Sequence, residues 1–114
     1  MSSQFEPAPS EPIHLGDADE YATQTSRYAV VLVDFYADWC GPCQMMEPTL
    51  EAIAADTDAA VLKVDVDQFQ AVASDHDVQG IPTLLVYADG EQAERLVGAQ
   101  TGEALETSVS EHLA

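Results

Sequence analysis

Apolar and polar positions change period several times along this 114-residue chain, and each change marks an element. Residues 29–35 form an almost unbroken apolar run rich in valine, the pattern of a central strand covered on both faces, and only Asp34 interrupts it. From about 40 to 57 the period becomes helical, with Met46, Leu50, Ile53, Ala54 and Thr57 on one side. Pro48 lies within that stretch; it lacks an N–H and crowds the preceding turn, so the helix is expected to bend there. Strand character returns over residues 60–66, followed by a short helix over 68–76 with Phe69, Val72 and Ala73 facing inward. Residues 83–87 and 91–97 are extended segments joined by Ala88, Asp89 and Gly90, where Asp-Gly signals a hairpin and therefore antiparallel pairing. After Gly98, Leu105, Val109 and Leu113 recur every four residues, as in a helix that docks one face on a sheet.

Upstream of the first strand, residues 17–27 read as a short helix, acidic in its first turn and with Arg27 near its end. Residues 1–12 alternate proline with small and acidic residues and carry no apolar period, so a flexible tail is expected before one domain over 13–114. No internal repeat is present, and strands alternate with helices as in an α/β domain.

Charge narrows the class. Lys63, Arg27 and Arg95 are the only bases against 21 acids, a formal net charge of −18. Such a surface disfavours nucleic acid and anionic membrane as partners. Its self-repulsion is screened at molar salt, where the Debye length is about 3 Å, and a salt-rich cytoplasm is inferred. No apolar run approaches the roughly 20 residues of a membrane-spanning helix, and the first dozen residues lack the basic start and long apolar stretch of a secretory signal. A soluble cytoplasmic protein is expected.

The candidate chemistry lies in Trp39, Cys40, Gly41, Pro42 and Cys43. A bridge between two cysteines this close constrains little of the unfolded chain, so they are read as reactive and not structural. Cys40 follows a buried strand where a helix begins, and the unpaired N–H groups and positive dipole end there favour its thiolate. Cys43, one turn further in, should be more shielded and less acidic. Cys40 would attack a partner's disulfide, and Cys43 would then attack Cys40 to release the reduced partner. Asp34, desolvated in its strand, is the candidate base for Cys43, with Lys63 on the neighbouring strand modulating it. The alternatives are an Asp34 that only hydrogen-bonds within the core and a Lys63 that is a surface counter-charge.

A zinc site needs about four ligands, and His14, His76 and His112 are far apart, so no metal is expected. Asp65 and Asp67 read as solvated surface charges, and Met45 and Met46 as helix and core residues. A non-enzymatic alternative is a scaffold subunit that holds a partner with its cysteines incidental.

With the valine-rich strand, Asp34, the five-residue cysteine run, Pro48 and then Gly80, Ile81, Pro82 and Thr83, the chain resembles the thioredoxin family over about residues 13–113. The resemblance implies the thioredoxin fold, a central mixed β-sheet flanked by α-helices, with Cys40 attacking and Cys43 resolving. It also implies a cis Ile81-Pro82 bond, a proline packed opposite the cysteines, and a substrate groove lined by Trp39, Gly41, Pro42, Ile81, Pro82 and Gly98. Gly98 has a second reading as a turn at a strand end. Further implications are oxidised protein substrates, a thioredoxin reductase as electron source, a monomer and no bound cofactor. Tyr36 stands where many thioredoxins carry a second tryptophan, and Gln44 where lysine is common.

Overall fold

The computed structural model describes residues 4–113. Five strands form one mixed sheet: β1 (Ile13–His14), β2 (Val30–Tyr36), β3 (Ala60–Asp65), β4 (Thr83–Ala88) and β5 (Glu91–Val97), in the order β1-β3-β2-β4-β5. β3 runs parallel to β1 and β2, whereas β4 pairs antiparallel with both β2 and β5. Central β2 is flanked by strands on both edges and covered on both faces, and Val30 to Phe35 are all buried.

Alternation along the strands separates two cores. Val31, Val33 and Phe35 join Leu62, Val64, Leu85 and Tyr87 and pack with Tyr21 of α1 (Tyr21–Arg27) and Val72 and Ala73 of α4 (Gln70–Asp75). Val30 and Leu32 join Val61, Leu84 and Val86 and pack with Leu50, Ile53 and Ala54 of α3 (Glu47–Asp56) and with Leu105 and Val109 of α5 (Gly102–Leu113). Each fully buried leucine or valine contributes about 2 kcal/mol by leaving water. Alternation puts Asp34 on the same face as Val30 and Leu32.

The expected helix over 40–57 is two helices. α2 (Gly41–Met45) ends at Met46, and α3 starts at Glu47 with Pro48 in its first turn. There the missing N–H has no intrahelical partner to lose, so Pro48 begins a helix instead of bending one. The hairpin turns on Asp89 and Gly90, both at positive φ (54° and 83°), as a two-residue connection of right-twisted strands requires. The helix expected over 17–27 opens with a 3₁₀ turn, Ala18–Glu20, which Asp17 caps by accepting from the Asp19 N–H. β1 was not expected, because two residues are too few to display a period. Phe69, Thr57 and Leu113, expected inward, are only partly buried.

Residues 4–12, expected as a flexible tail, make contacts with the domain. The Glu6 N–H donates to the Arg27 carbonyl (2.9 Å), their side chains pair at 3.2 Å, and Ala8 packs against the core. An aperiodic, proline-rich segment cannot form a helix, yet it can still run extended along a surface. Residues 1–3 of that expected tail lie outside the described residues.

Candidate active site

β2 delivers the chain to the site, and a tight turn then places Cys40 as the N-cap of α2. The Cys40 N–H donates to the Ala37 carbonyl (3.1 Å), and its extended backbone (φ −86°, ψ 107°) lets Sγ accept from the Cys43 N–H at 3.2 Å. Pro42, in the first turn, has no N–H to satisfy. Cys40 and Cys43 form a disulfide with their Cα atoms 5.2 Å apart. Both are buried, Cys43 at 1% exposure and Cys40 at 4%, so the innermost sulfur is the more shielded. The Gln44 side chain donates to the Asp38 carbonyl and braces the loop before Cys40.

Opposite the cysteines the Ile81-Pro82 bond is cis, and the Ile81 carbonyl oxygen lies 3.9 Å from Cys40 Sγ. The Gly98 N–H donates to the Pro82 carbonyl (2.8 Å). Gly98 has φ +90° with no atom near where a Cβ would stand, so its backbone conformation and not crowding calls for glycine. A Cβ at Gly41 would likewise meet nothing within 4 Å. Trp39 is 71% exposed, and its Nε1 donates to Asp67 Oδ2 at 2.8 Å. Trp39, Val66, Val78, Gln79 and Ile81 line a groove of about 150 Å³ beside the disulfide.

The structure thus brings Trp39, Ile81 and Pro82 to one end of the sheet with the cysteines. Val66, Val78 and Gln79 were not foreseen, and Asp67 is more than a solvated charge. The sequence does signal the turn that presents Asp67, since Asp65 Oδ1 accepts from the Asp67 N–H (2.9 Å). The indole partner, 28 residues away, has no local signal.

Asp34 and Lys63 are register partners on β2 and β3, both nearly inaccessible. Lys63 Nζ lies 2.8 Å from Asp34 Oδ2, contacts Glu47 Oε1, and sits 4.2 Å from the centre of the Tyr36 ring. Lys63 is therefore a core residue and not a surface counter-charge. The Lys63 ammonium thus serves two carboxylates at once. Burial pushes the Asp34 carboxyl above its ordinary range; Lys63 offsets that shift only in part, and Glu47 adds to it. Burial acts to lower the Lys63 ammonium, but its two carboxylate neighbours outweigh this and raise it. Cys43 and Lys63 line one cavity of about 210 Å³, together with His14, Tyr36, Gln44 and Glu47. Glu47 was not singled out from the sequence, where it is one acid among 21.

Among the described residues one trio, Glu94, Glu111 and His112, brings a potential metal-ligand atom from each within 4.8 Å of the others. His112 Nε2 already lies 2.8 Å from Glu94 Oε2 there. No helix of the described residues is long and apolar enough to cross a membrane.

The site thus combines a disulfide at the start of a helix, a cis-proline near Cys40 and a buried acid–lysine pair. The thioredoxin family model matches residues 13–111. A thioredoxin of Staphylococcus epidermidis is 48% identical over 86 residues, covering 74% of this chain and 83% of the relative. One from Staphylococcus haemolyticus is 48% identical over 97 residues, covering 83% and 93%. Among solved structures, a mutant thioredoxin from Halobacterium salinarum NRC-1 superposes with a TM-score of 0.91 at 50% identity, over 96% of each chain. With the expected mixed sheet, flanking helices and paired Cys40 and Cys43 all in place, the chain belongs to the thioredoxin family and is a thiol–disulfide oxidoreductase.

Proposed function

We propose that this chain works as a protein-disulfide reductase in the cytoplasm, as a monomer whose domain over 13–114 carries the whole site. The observation that supports it most is the Cys40–Cys43 pair at the start of α2, sharing a cavity with Lys63, the partner of a buried and under-compensated Asp34. In the reduced chain the Cys40 thiolate attacks one sulfur of a partner's disulfide; that bond breaks, and the departing sulfur leaves as a thiolate that takes up a proton. Asp34 accepts the Cys43 proton, and the Cys43 thiolate attacks Cys40 Sγ. The Cys40–Cys43 bond forms, the mixed disulfide breaks, and the partner leaves with two electrons while the chain is oxidised. Tethering gives Cys43 a high effective concentration at Cys40, so the intermediate is short-lived.

Lys63 touches Asp34 and lines the same cavity as Cys43, which favours a role in holding that proton path. Trp39, Gly41, Pro42, Ile81, Pro82 and Gly98 frame the docking site, where an extended substrate segment pairs with the backbone before Pro82. A thioredoxin reductase returns the chain to its dithiol form. The net charge of −18 suits work in concentrated salt, with partners recognised by apolar and backbone contacts.

Equilibration of the Cys40/Cys43 couple against a dithiol buffer in molar KCl tests the direction of electron flow. A potential near or below that of a reducing cytosol is expected; a markedly more oxidising value would make the chain an oxidant. In the same medium Cys43→Ser should accumulate mixed disulfides with oxidised proteins, and Cys40→Ser should abolish turnover. Retention of function by Cys40→Ser would favour a scaffold.

A further inference from the structure

Glu47 opens α3 directly after Met46 and sets its carboxylate against Lys63, so that one ammonium serves two acids. The two contacts differ. Lys63 Nζ lies 2.8 Å from Asp34 Oδ2 in the interior and also contacts Glu47 Oε1, whose side chain is open to water. Asp34 is nearly inaccessible and the Glu47 side chain is 39% exposed, so one ammonium divides its field between a buried acid and a better-solvated one. A cation close to a carboxylate favours its ionised form, and a cation whose charge is partly offset by a second carboxylate favours it less. Glu47 also lines the cavity that reaches Cys43 and Lys63.

We propose that Glu47 is a positioning residue for proton transfer at Cys43: by drawing Lys63 toward itself and offsetting its charge, it keeps Asp34 a proton acceptor and prevents it from being locked as a fully paired carboxylate. The proposal rests on the reading of Asp34 as the base for Cys43. Acting through Lys63, Glu47 touches no reacting atom. The groups facing this cluster are His14 from β1, Asp34 and Tyr36 from β2, Asp38 from the following loop, Cys43 from α2, and Lys63 and Asp65 from β3. Of these, Lys63 is the one cation with a fixed charge. The direct repulsion of Asp34 by Glu47 acts in the same direction as the offsetting of the Lys63 charge.

The test compares Glu47→Ala with Glu51→Ala in the reduced full-length chain in molar KCl. Glu51 is an exposed acid one turn further along α3, so both variants remove one negative charge from the same helix. Carboxyl carbon NMR reads the Asp34 titration, and rapid-mixing kinetics read the pH profile of the resolving step. In Glu47→Ala the Asp34 midpoint should fall enough to change its protonation ratio about threefold at fixed pH, with the acid limb of the resolving profile moving the same way. Glu51→Ala should leave both where they are. An unmoved Asp34 midpoint in Glu47→Ala, or an equal fall in Glu51→Ala, overturns the proposal. A falling midpoint with an unmoved resolving profile upholds the hold of Glu47 on Asp34 and instead removes Asp34 as the base.

Discussion

Toward α1 and α4 the sheet buries the phenols of Tyr21 and Tyr87, with their hydroxyls 2.9 Å apart; toward α3 it buries Asp34 and Lys63, 2.8 Å apart. The distances are alike and the chemistry is opposite. A hydroxyl both donates and accepts, so two phenols can satisfy one another while remaining neutral. Burial pushes both phenols up and keeps them neutral, reinforced at Tyr21 by its bond to Tyr87. Asp34 can only accept when ionised, and the cation beside it is shared with a second carboxylate. One face of the sheet therefore closes its polar pair, and the other leaves a polar group in tension with its surroundings. Under-compensation of that kind weakens a fold but makes a proton easy to move, and the Lys63 partner lines a cavity together with Cys43.

Replacing Asp34 by asparagine should show the largest effect. It keeps the shape and removes the proton acceptor, so the resolving step should slow about 100-fold near pH 7. Stability should move the other way. A carboxyl whose folded value is raised contributes stability while it is protonated, below its ordinary value of 3.8, and loses that contribution as pH rises through the folded value. The uncharged amide of the variant carries no such loss. Denaturant unfolding should therefore find the variant at least as stable as the parent at neutral pH, with its advantage shrinking as the pH is lowered toward 4. A variant less stable at neutral pH would remove the contrast between the two faces.

On the closed side, Tyr87→Phe leaves the Tyr21 hydroxyl buried without its partner and should cost about 1–2 kcal/mol by the same unfolding measurement. Its disulfide-exchange rates and their pH profile should match the parent. A displaced profile would mean that the two faces communicate.

The smallest effect should come from an ion pair on neither face. Arg27 and Glu6 are both substantially exposed, at 36% and 65% of their side chains, and Arg27→Gln should cost less than about 1 kcal/mol in dilute buffer. In molar salt the difference should vanish. Persistence there would mean that the segment around Glu6 is held chiefly by something other than charge.

All three fixed cations of the chain have partners. Besides Lys63 and Arg27, Arg95 reaches the carbonyls of His76 and Asp77 at the end of α4, where a positive charge suits the helix dipole. With 21 acids at hand, these three bases act as ties between elements. Lys63 was legible as a neighbour of Asp34 through the strand pattern, whereas the partners of Arg27 and Arg95 lie outside the local pattern around each base.

The order of elements was legible, since strand and helix periods and the Asp89-Gly90 turn are properties of neighbouring residues. Pro48 was legible as a disturbance but not as the first turn of a new helix, a choice that depends on Met46 turning the chain. β1 was invisible: two residues pair with β3 only because the rest of the sheet presents an edge there.

By itself the sequence determined the fold class, the reactive pair and the oddity of Asp34, because each is written in short-range spacing: an acid inside an apolar run, two cysteines one helical turn apart. Tertiary structure alone decided what those groups face. Parallel register sets Lys63 beside Asp34, the start of α3 brings Glu47 to Lys63, and the cis Ile81-Pro82 segment reaches Cys40 from 41 residues away. Such contacts depend on strand order and on how helices cross the sheet, and the free energy that selects them comes from burying two whole cores at once. No local window of sequence contains that sum.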